Sequence, residues 1–372
     1  MKTFLILIFL FITPCYAGLK ILTYNVALDQ RRVEHSNVRL KFVNDSLLHS
    51  GADILCLQEV WKNEDKDYLI HSLGHHYLYN YSSKSSQAYT SQRPACGSDV
   101  LFGDQGIFSC LSDHCLFKNQ NDLGSCFNKN CSIYVPLLIN KNKECAEALL
   151  SRSDELNFLS FLKLINPFKG APKFSHSGHD GLLILSKRPI QSSSVIDLGN
   201  FSTFYRRGAL KVLIDQHEIY CTQITSDLDY FLPYMGPLSH WTTESKKQAS
   251  ALMDTIKDSD IPTVLAGSIA CSYSHEESFI SSYNPEVCKM IQDKGFENHL
   301  FNTNPECTYC ASNNLIMENR HDNFMLDHIF TRKVKVKSSQ VVFKQRVQFD
   351  SSKGERKETQ LSTNHGILME IE

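Results

Sequence analysis

The sequence lacks a charge excess of either sign. Its 38 Lys and Arg residues are balanced by 40 Asp and Glu residues, which leaves a net charge of −2 at pH 7. A chain without a basic excess has no global field that would attract nucleic acid, although a local basic patch is compatible with this total. Internal repeats and low-complexity tracts are also missing. With 42% hydrophobic residues over 372 positions, the chain can bury a large core in one large domain or two ordinary ones.

Long apolar runs are almost absent, and the single clear one lies at the N-terminus. Residues 4–12 are uninterrupted apolar residues that follow Lys2 and precede Pro14 and Ala17. This run is too short to span a bilayer, and its flanks are typical of a cleaved secretory signal. We therefore predict a signal peptide at residues 1–17, a secreted or extracytoplasmic protein, and no transmembrane anchor.

Cysteines are plentiful, and export changes how they are interpreted. Thirteen are present, and removal of Cys15 with the signal peptide leaves an even number in an oxidising compartment. Cys307 and Cys310 form a CxxC, and six others crowd one region: Cys96, Cys110, Cys115, Cys126, Cys131 and Cys145. Disulfides are favoured for these groups, with zinc binding as the alternative. Cys56 lies inside an apolar strand pattern and is predicted to be a buried free thiol.

Short apolar runs alternate with helical patterns along the chain. Strands are predicted at residues 19–26, 52–60, 181–186, 209–215, 219–224, 262–266, 326–330, 334–342 and 367–371, and helices at 38–50, 145–164 and 244–257. Several of these strands are apolar on both faces, as in a sheet buried between two layers. The pattern predicts an α/β sandwich with sheets inside and helices outside. Residues from about 82 to 176 differ, because they are rich in Ser, Asn and Cys.

Polar residues end four of the predicted strands: Asn25, Gln58-Glu59, Asp327-His328 and Asn364-His365. Open sheets assemble active sites in this way, from strand ends that are distant in sequence. Asn25 and Glu59 offer the oxygen ligands that Mg²⁺ prefers. His365 could protonate or stabilise a phosphoryl oxygen, with Asp327 holding its imidazole in the required tautomer.

Seven segments carry a family resemblance: ILTYNV, ADILCLQEVW, GLLILSKRPI, RRGALKVLI, IPTVLAGS, LDHIF and STNHG. In this order they resemble the exonuclease–endonuclease–phosphatase superfamily, which includes pancreatic deoxyribonuclease, neutral sphingomyelinases and inositol-polyphosphate phosphatases. GLLILSKRPI followed by RRGALKVLI is most similar to the sphingomyelinase-like branch. The resemblance implies one domain over residues 18–372, a four-layered α/β sandwich of two packed mixed sheets flanked by helices. The cysteine-rich stretch at about 82–176 is interpreted as an insertion.

The resemblance also implies roles for individual residues in a metal-dependent hydrolysis of phosphate esters. Asn25 and Glu59 match the metal-binding asparagine and glutamate of the family. His365 matches the catalytic histidine, and Asp327 matches the aspartate that supports it.

Several positions depart from the family pattern. The segment 267–270 reads Gly-Ser-Ile-Ala where the family has Gly-Asp-x-Asn, so that Ser268 replaces the water-activating aspartate and Ala270 replaces the phosphate-holding asparagine. Asn364 stands where the family has an aspartate before the catalytic histidine, and Gln223 stands where it has a phosphate-contacting histidine. Loss of a positioned general base typically costs about 10²–10⁴ in rate. Fewer carboxylates also weaken Mg²⁺ binding.

Other features leave alternatives open. Asp180, His179, His176 or Asp227 could supply a replacement base from a rearranged loop. The apolar stretch 157–168 could touch a membrane surface, which would suit a lipid substrate, or could form a helix packed on the sandwich. The pair Arg206-Arg207 could attract phosphates.

Two functions remain in competition. The first is a secreted Mg²⁺-dependent phosphodiesterase that acts on a phospholipid head group or on nucleic acid. The second is a catalytically inactive secreted binding protein on the same fold, with the cysteine-rich insertion as a partner surface. The segment 267–270 favours the second.

Overall fold

A computed structural model describes residues 18–30, 32–103, 107–115, 130–131, 133–152, 163–228, 232–256, 260–316, 321–351 and 354–372. The predicted signal peptide and residues 157–162 of the apolar stretch lie outside these residues. Within them, no helix has both the length and the apolar character required to cross a bilayer.

Two six-stranded sheets form the centre of the molecule. The first has the order β11-β14-β1-β2-β4-β3, with bounds Val336–Val342, Gly366–Ile371, Leu19–Asn25, Ile54–Gln58, Leu183–Ser186 and Tyr79–Tyr81. The second has the order β5-β6-β7-β8-β10-β9, with bounds Ser192–Asp197, Gly208–Ile214, His217–Gln223, Thr263–Ser268, Asp327–Arg332 and Glu297–Asn298. A separate hairpin pairs β12 (Arg346–Asp350) with β13 (Arg356–Gln360).

Helices cover the outer face of each sheet. The described helices are α1 (Ser36–Leu48), α2 (Asn63–Leu73), α3 (Ser98–Phe102), α4 (Ile107–His114), α5 (Tyr134–Lys141), α6 (Lys143–Leu150), α7 (Trp241–Thr255), α8 (Pro285–Gln292) and α9 (His299–Thr303). Val43 of α1 and Leu69 of α2 share an apolar cluster with Leu55 of the first sheet. Leu252 of α7 and Val287 of α8 share another with strands of the second sheet. A third cluster fills the space between the sheets, so the predicted four-layered α/β sandwich is confirmed.

Strand direction brings the predicted polar strand ends to one edge. β1 and β2 are parallel, with Asn25 opposite Gln58, and β7 and β8 are parallel, with Gln223 opposite Ser268. β10 runs antiparallel to β8, which sets its first residue, Asp327, opposite Ser268. The ends of strands from both sheets therefore meet at the same rim of the sandwich.

The prediction for Cys56 was wrong, because this residue forms a disulfide with Cys221. Cys56 lies in β2 and Cys221 in β7, and both belong to the cluster between the two sheets. Their Cα atoms are 5.4 Å apart, within the normal range for a disulfide. The disulfide therefore crosslinks the two sheets inside the core, three residues before Glu59 and two before Gln223.

Disulfides are confirmed for other cysteines of the predicted groups, as Cys96–Cys145, Cys110–Cys131 and Cys307–Cys310. A further disulfide, Cys271–Cys288, lies outside those groups. The cysteine-rich stretch contains helices α3 to α6, and α6 begins close to the predicted helix 145–164, whose residues 153–162 lie outside the described part. Its apolar cluster includes Trp61 and Tyr205, which adjoin the rim where the polar strand ends meet.

Candidate functional site

Glu59 is the central carboxylate of the rim, and two amide side chains hold it. Asn25 donates through Nδ2 to Oε1 of Glu59 at 3.0 Å, and Gln223 donates through Nε2 to the same oxygen at 2.9 Å. The Asn25 amide has a fixed orientation, because its Oδ1 accepts a 3.0 Å hydrogen bond from the backbone N–H of Ala27. Asn25 and Gln223 belong to different sheets, so the carboxylate of Glu59 joins the two halves of the sandwich.

A second polar pair lies beside the first. Asn364 donates through Nδ2 to Oδ2 of Asp327 at 2.6 Å, and the hydroxyl of Thr308 accepts from the backbone N–H of Asp327 at 3.0 Å. The side chain of Asp327 is fully buried. Burial raises the pKa of Asp327 to about 7, although hydrogen bonds from Asn364, Thr308 and Ser268 oppose this shift. A substantial fraction of this carboxyl is therefore protonated near neutral pH.

His365 lies at the same rim but is not oriented by Asp327. Its Nδ1 lies 3.3 Å from the carbonyl oxygen of Phe343, and no hydrogen bond connects the imidazole to Asp327 among the described residues. Because a carbonyl only accepts, Nδ1 carries the proton in this contact and Nε2 has the free lone pair. Burial lowers the pKa of His365, so the imidazole is neutral at physiological pH.

The four departures from the family pattern occupy the same rim as the retained residues. Ser268 ends β8 and Gln223 ends β7, while Asn364 precedes β14. Ala270 has φ of 54°, a left-handed conformation that asparagine adopts more readily than alanine. The backbone at this position therefore keeps a shape suited to the family's asparagine, although its side chain is gone.

Arg39, which the sequence patterns did not identify, holds the loops of the site together. Its guanidinium donates to the carbonyl oxygens of Val26 at 3.1 Å and Leu361 at 2.9 Å, and also to those of Ala27 and Glu34. The loop after β1 is thereby tied to the loop that carries Asn364. A buried arginine on α1 carried no motif signal, since its partners are all backbone carbonyls.

An aromatic stack also borders the site. The rings of Trp61 and His176 stack with their centroids 4.7 Å apart, and the rings of Trp61 and Tyr205 stack at 5.1 Å. Cζ of Arg207 lies 5.7 Å from the Trp61 ring and 5.2 Å from the Tyr205 ring. Trp61 follows Glu59 by two residues, so this stack lies directly beside the amide-bound carboxylate.

The candidate replacement bases differ in their surroundings. Asp180 accepts hydrogen bonds from the hydroxyl of Ser83 and the backbone N–H of Leu182, and its role is therefore local. His176 Nε2 lies 3.4 Å from Oδ2 of Asp29, which also accepts a 2.6 Å hydrogen bond from the Tyr205 hydroxyl. Of these candidates, His176 is the one that stacks on Trp61.

The donor set at the rim does not fit a magnesium ion. Mg²⁺ needs several oxygen ligands, usually including carboxylates. Here Oε1 of Glu59 accepts two N–H groups, and the oxygen of Asn25 faces the N–H of Ala27 rather than Glu59. Serine and asparagine stand at positions 268 and 364 in place of acids. The metal role of Asn25 and Glu59 remains a prediction that this hydrogen-bonding pattern does not support.

Most of the chain matches a known sequence family. A model of the Endonuclease/Exonuclease/phosphatase family matches residues 22–344. No curated protein sequence matches the chain.

Solved structures share the fold at low sequence identity. Sphingomyelinase C from Streptomyces griseocarneus is similar with a TM-score of 0.54 at 13% identity, covering 96% of this chain and 100% of that one. A beta toxin from Staphylococcus aureus has a TM-score of 0.51 at 14% identity, covering 94% and 99%. TDP2 from D. rerio, complexed with a single-strand DNA product, has a TM-score of 0.50 at 11% identity, covering 96% and 99%.

Proposed function

We propose, since this chain belongs to the endonuclease/exonuclease/phosphatase family, that it binds phosphate esters at the rim of the sandwich and has lost efficient hydrolysis. The observation that carries this proposal is Oε1 of the Glu59 carboxylate, which accepts hydrogen bonds from the amides of both Asn25 and Gln223. Ser268 cannot replace a carboxylate as general base, because a serine hydroxyl does not take a proton from water at neutral pH. The protein thus keeps the fold of a phosphodiester hydrolase lineage but lacks the usual reactive groups at the rim.

We propose phospholipid head groups as the ligand class, with nucleic acid as the alternative ligand. The sequence segments 181–190 and 206–214 resemble the sphingomyelinase-like branch. The structural similarity to a sphingomyelinase C adds support, while the DNA complex of the D. rerio protein supports the alternative. The absence of a basic excess argues against general nucleic-acid binding.

We also propose that the protein acts outside the cytoplasm. The signal-peptide pattern at residues 1–17 supports export, as does the set of disulfides, which persist in oxidising compartments. The cysteine-rich insertion at about 82–176 is the proposed surface for contact with a membrane or a partner. Phe168 and Ile133, both strongly exposed apolar residues of this stretch, support such a contact.

The second candidate function is an active, metal-dependent phosphodiesterase with a relocated base. The observation that favours it is the pairing of His176 with Asp29 beside Trp61, since a histidine oriented by a carboxylate is a competent general base. Hydrolysis would also require Glu59 to exchange its two amide donors for a metal ion.

The experiment combines binding and turnover on the purified protein. Binding is measured to sphingomyelin vesicles, to vesicles without a phosphate-ester head group and to single-stranded DNA, and hydrolysis of sphingomyelin and DNA is measured with Mg²⁺ beside a His365→Ala variant. We expect binding to the sphingomyelin vesicles, and turnover no higher than in the His365→Ala variant. Turnover that is abolished in the variant would replace the proposal with the second candidate. Absence of binding to every probe would refute both ligand classes.

A further inference from the structure

Arg207 is a buried cation in the field of Glu59, whose charge opposes the lowering of the Arg207 pKa by burial. It is 2% exposed, and no described carboxylate oxygen lies within 4.0 Å of its guanidinium. Its Nε makes one long contact, 3.4 Å to the Thr225 hydroxyl, and its Nη1 has no hydrogen-bond partner among the described residues. The Trp61 and Tyr205 rings and the charge of Glu59 offset part of the cost of burying this cation, but the Nη1 donor is left without an acceptor among the described residues.

The guanidinium of the neighbouring Arg206, in contrast, has hydrogen-bond and ion-pair partners. Its Nη2 pairs with Asp197 at 3.2 Å, and its Nη1 donates to the carbonyl oxygens of Lys84 and Gly178. Arg206 therefore has a structural role, and the unsatisfied donor capacity belongs to Arg207 alone of the two.

A second unsatisfied donor lies beside Arg207. The indole Nε1 of Trp61 is buried and has no hydrogen-bond partner among the described residues, and the Trp61 ring lies 5.7 Å from Cζ of Arg207. A buried donor with no acceptor is uncommon in native proteins, and each one calls for an explanation. An acceptor-only group with several oxygens satisfies both, and a phosphoryl group has this chemistry.

Among the described residues, the surrounding carboxylates accept no hydrogen bond from Arg207 Nη1 or Trp61 Nε1. Oε1 of Glu59 is occupied by the Asn25 and Gln223 amides. Glu244 accepts hydrogen bonds from Thr225 and Tyr234, and burial raises the pKa of its carboxyl. The stack of rings that includes Trp61 reaches the surface at Arg32, an exposed cation 5.8 Å from the Tyr205 ring.

We propose that Arg207 and Trp61 form a metal-independent site for the phosphoryl group of a phosphate ester. This inference rests on the proposed function and adds the residues and the mode of binding. The guanidinium and the indole N–H would stabilise the negative charge of the phosphoryl group, which a metal ion does in metal-dependent sites. The bound group can come from a lipid head group or from free phosphate.

The test measures binding of inorganic phosphate and of phosphorylcholine by calorimetry, in EDTA and again with Mg²⁺. We expect equal affinity in both buffers. Arg207→Gln is expected to lower affinity about tenfold or more, and Arg207→Lys to lower it less, because charge remains but the planar fork is lost. Arg188→Gln, which removes a half-buried arginine paired with Asp215, is the control and should bind as the wild type does. Tighter binding of phosphorylcholine than of phosphate would identify the head group as the source.

Trp61→Phe tests the contribution of the indole N–H. It removes the unpartnered N–H and keeps an aromatic ring, but it leaves a cavity in a buried stack, so the melting temperature should fall and affinity is compared on protein shown to be folded. Affinity should fall about three- to tenfold, in proportion to one hydrogen bond to a charged group. Binding that requires Mg²⁺, or that survives both Arg207→Gln and Trp61→Phe, would overturn the inference and leave the proposed function intact. No binding of either probe in either buffer would overturn both.

Discussion

Gln223 and Glu59 come from different sheets, and the Nε2 of Gln223 donates a 2.9 Å hydrogen bond to Oε1 of Glu59. The family pattern that this chain resembles has a histidine at the position of Gln223. Here the glutamine amide joins that of Asn25 on the same carboxylate oxygen. This rim is thereby closed by protein hydrogen bonds where the family pattern calls for a metal ion.

Removal of the Gln223 amide should destabilise the fold. Gln223→Ala leaves Oε1 of Glu59 with Asn25 as its remaining donor, and a buried carboxylate that loses a hydrogen bond costs about 1–3 kcal/mol. Urea unfolding in EDTA measures the change. Gln191→Ala, at an exposed glutamine, is the matched control and should change the free energy of unfolding little. A Gln223→Ala protein as stable as the wild type would show that the amide is not needed to hold the carboxylate.

The pH dependence of stability should carry the signature of Asp327. Burial raises its pKa to about 7, above the ordinary aspartate value of the unfolded chain, so the folded state disfavours the ionised carboxyl. The resulting loss of stability is absent below about pH 4, grows as the pH rises and is complete above about pH 7. Asp327→Asn removes the titration, since an amide is always neutral.

We therefore expect the unfolding free energy of Asp327→Asn, relative to that of the wild type, to rise by about 2–4 kcal/mol between about pH 4 and pH 8. This magnitude follows from about 1.4 kcal/mol for each unit of pKa shift. Glu147, whose pKa burial also raises to about 7, contributes the same trend in both proteins. The difference between the two urea curves is thus the quantity to measure. A difference that does not vary with pH would mean that Asp327 is ionised in the folded protein at neutral pH.

The disulfide between the sheets should matter more for stability than one in the cysteine-rich stretch. Cys56 and Cys221 are 165 residues apart, while Cys110 and Cys131 are 21 apart. Longer closed loops restrict the unfolded chain more, and the loss of a native disulfide typically costs about 2–5 kcal/mol. Replacement of the first pair by alanines should lower the urea midpoint more than replacement of the second. The opposite order would show that the cysteine-rich stretch unfolds together with the sandwich and limits its stability.

Replacement of Arg39, even by lysine, should destabilise the fold. Its guanidinium bridges carbonyl oxygens after β1 to Leu361 near Asn364, and a lysine ammonium cannot reproduce this fork. We expect Arg39→Lys to lower the unfolding free energy by about 2–4 kcal/mol, as several buried carbonyls lose their donors. Lys41→Arg, on the exposed face of the same helix, serves as the control. A stable Arg39→Lys protein would mean that water or another side chain satisfies these carbonyls.

Apolar strand patterns predicted much of the fold, but polar elements escaped detection. β2, β4 and β8 are buried on both faces and stand out as continuous apolar runs. β5 is a largely exposed edge strand with the sequence SSSVID, and α2 begins with charged residues, so neither shows the periodicity that a sequence search requires.

The rim itself was predictable because parallel strands end together, which brought Asn25 and Glu59 into contact. Their hydrogen-bonding roles were not predictable. They depend on the Ala27 N–H that turns the amide of Asn25. The disulfide partner of Cys56, which lies 165 residues away, was not predictable either.

A calorimetric titration of Mg²⁺ into the wild-type protein and a Glu59→Gln variant is the most direct test of a rim closed by its own hydrogen bonds. We predict no saturable binding to the wild type beyond that of the variant, because the Glu59 oxygen is already occupied by the Asn25 and Gln223 amides. Saturable Mg²⁺ binding to the wild type that Glu59→Gln abolishes would contradict this prediction and return the site to metal-dependent hydrolysis.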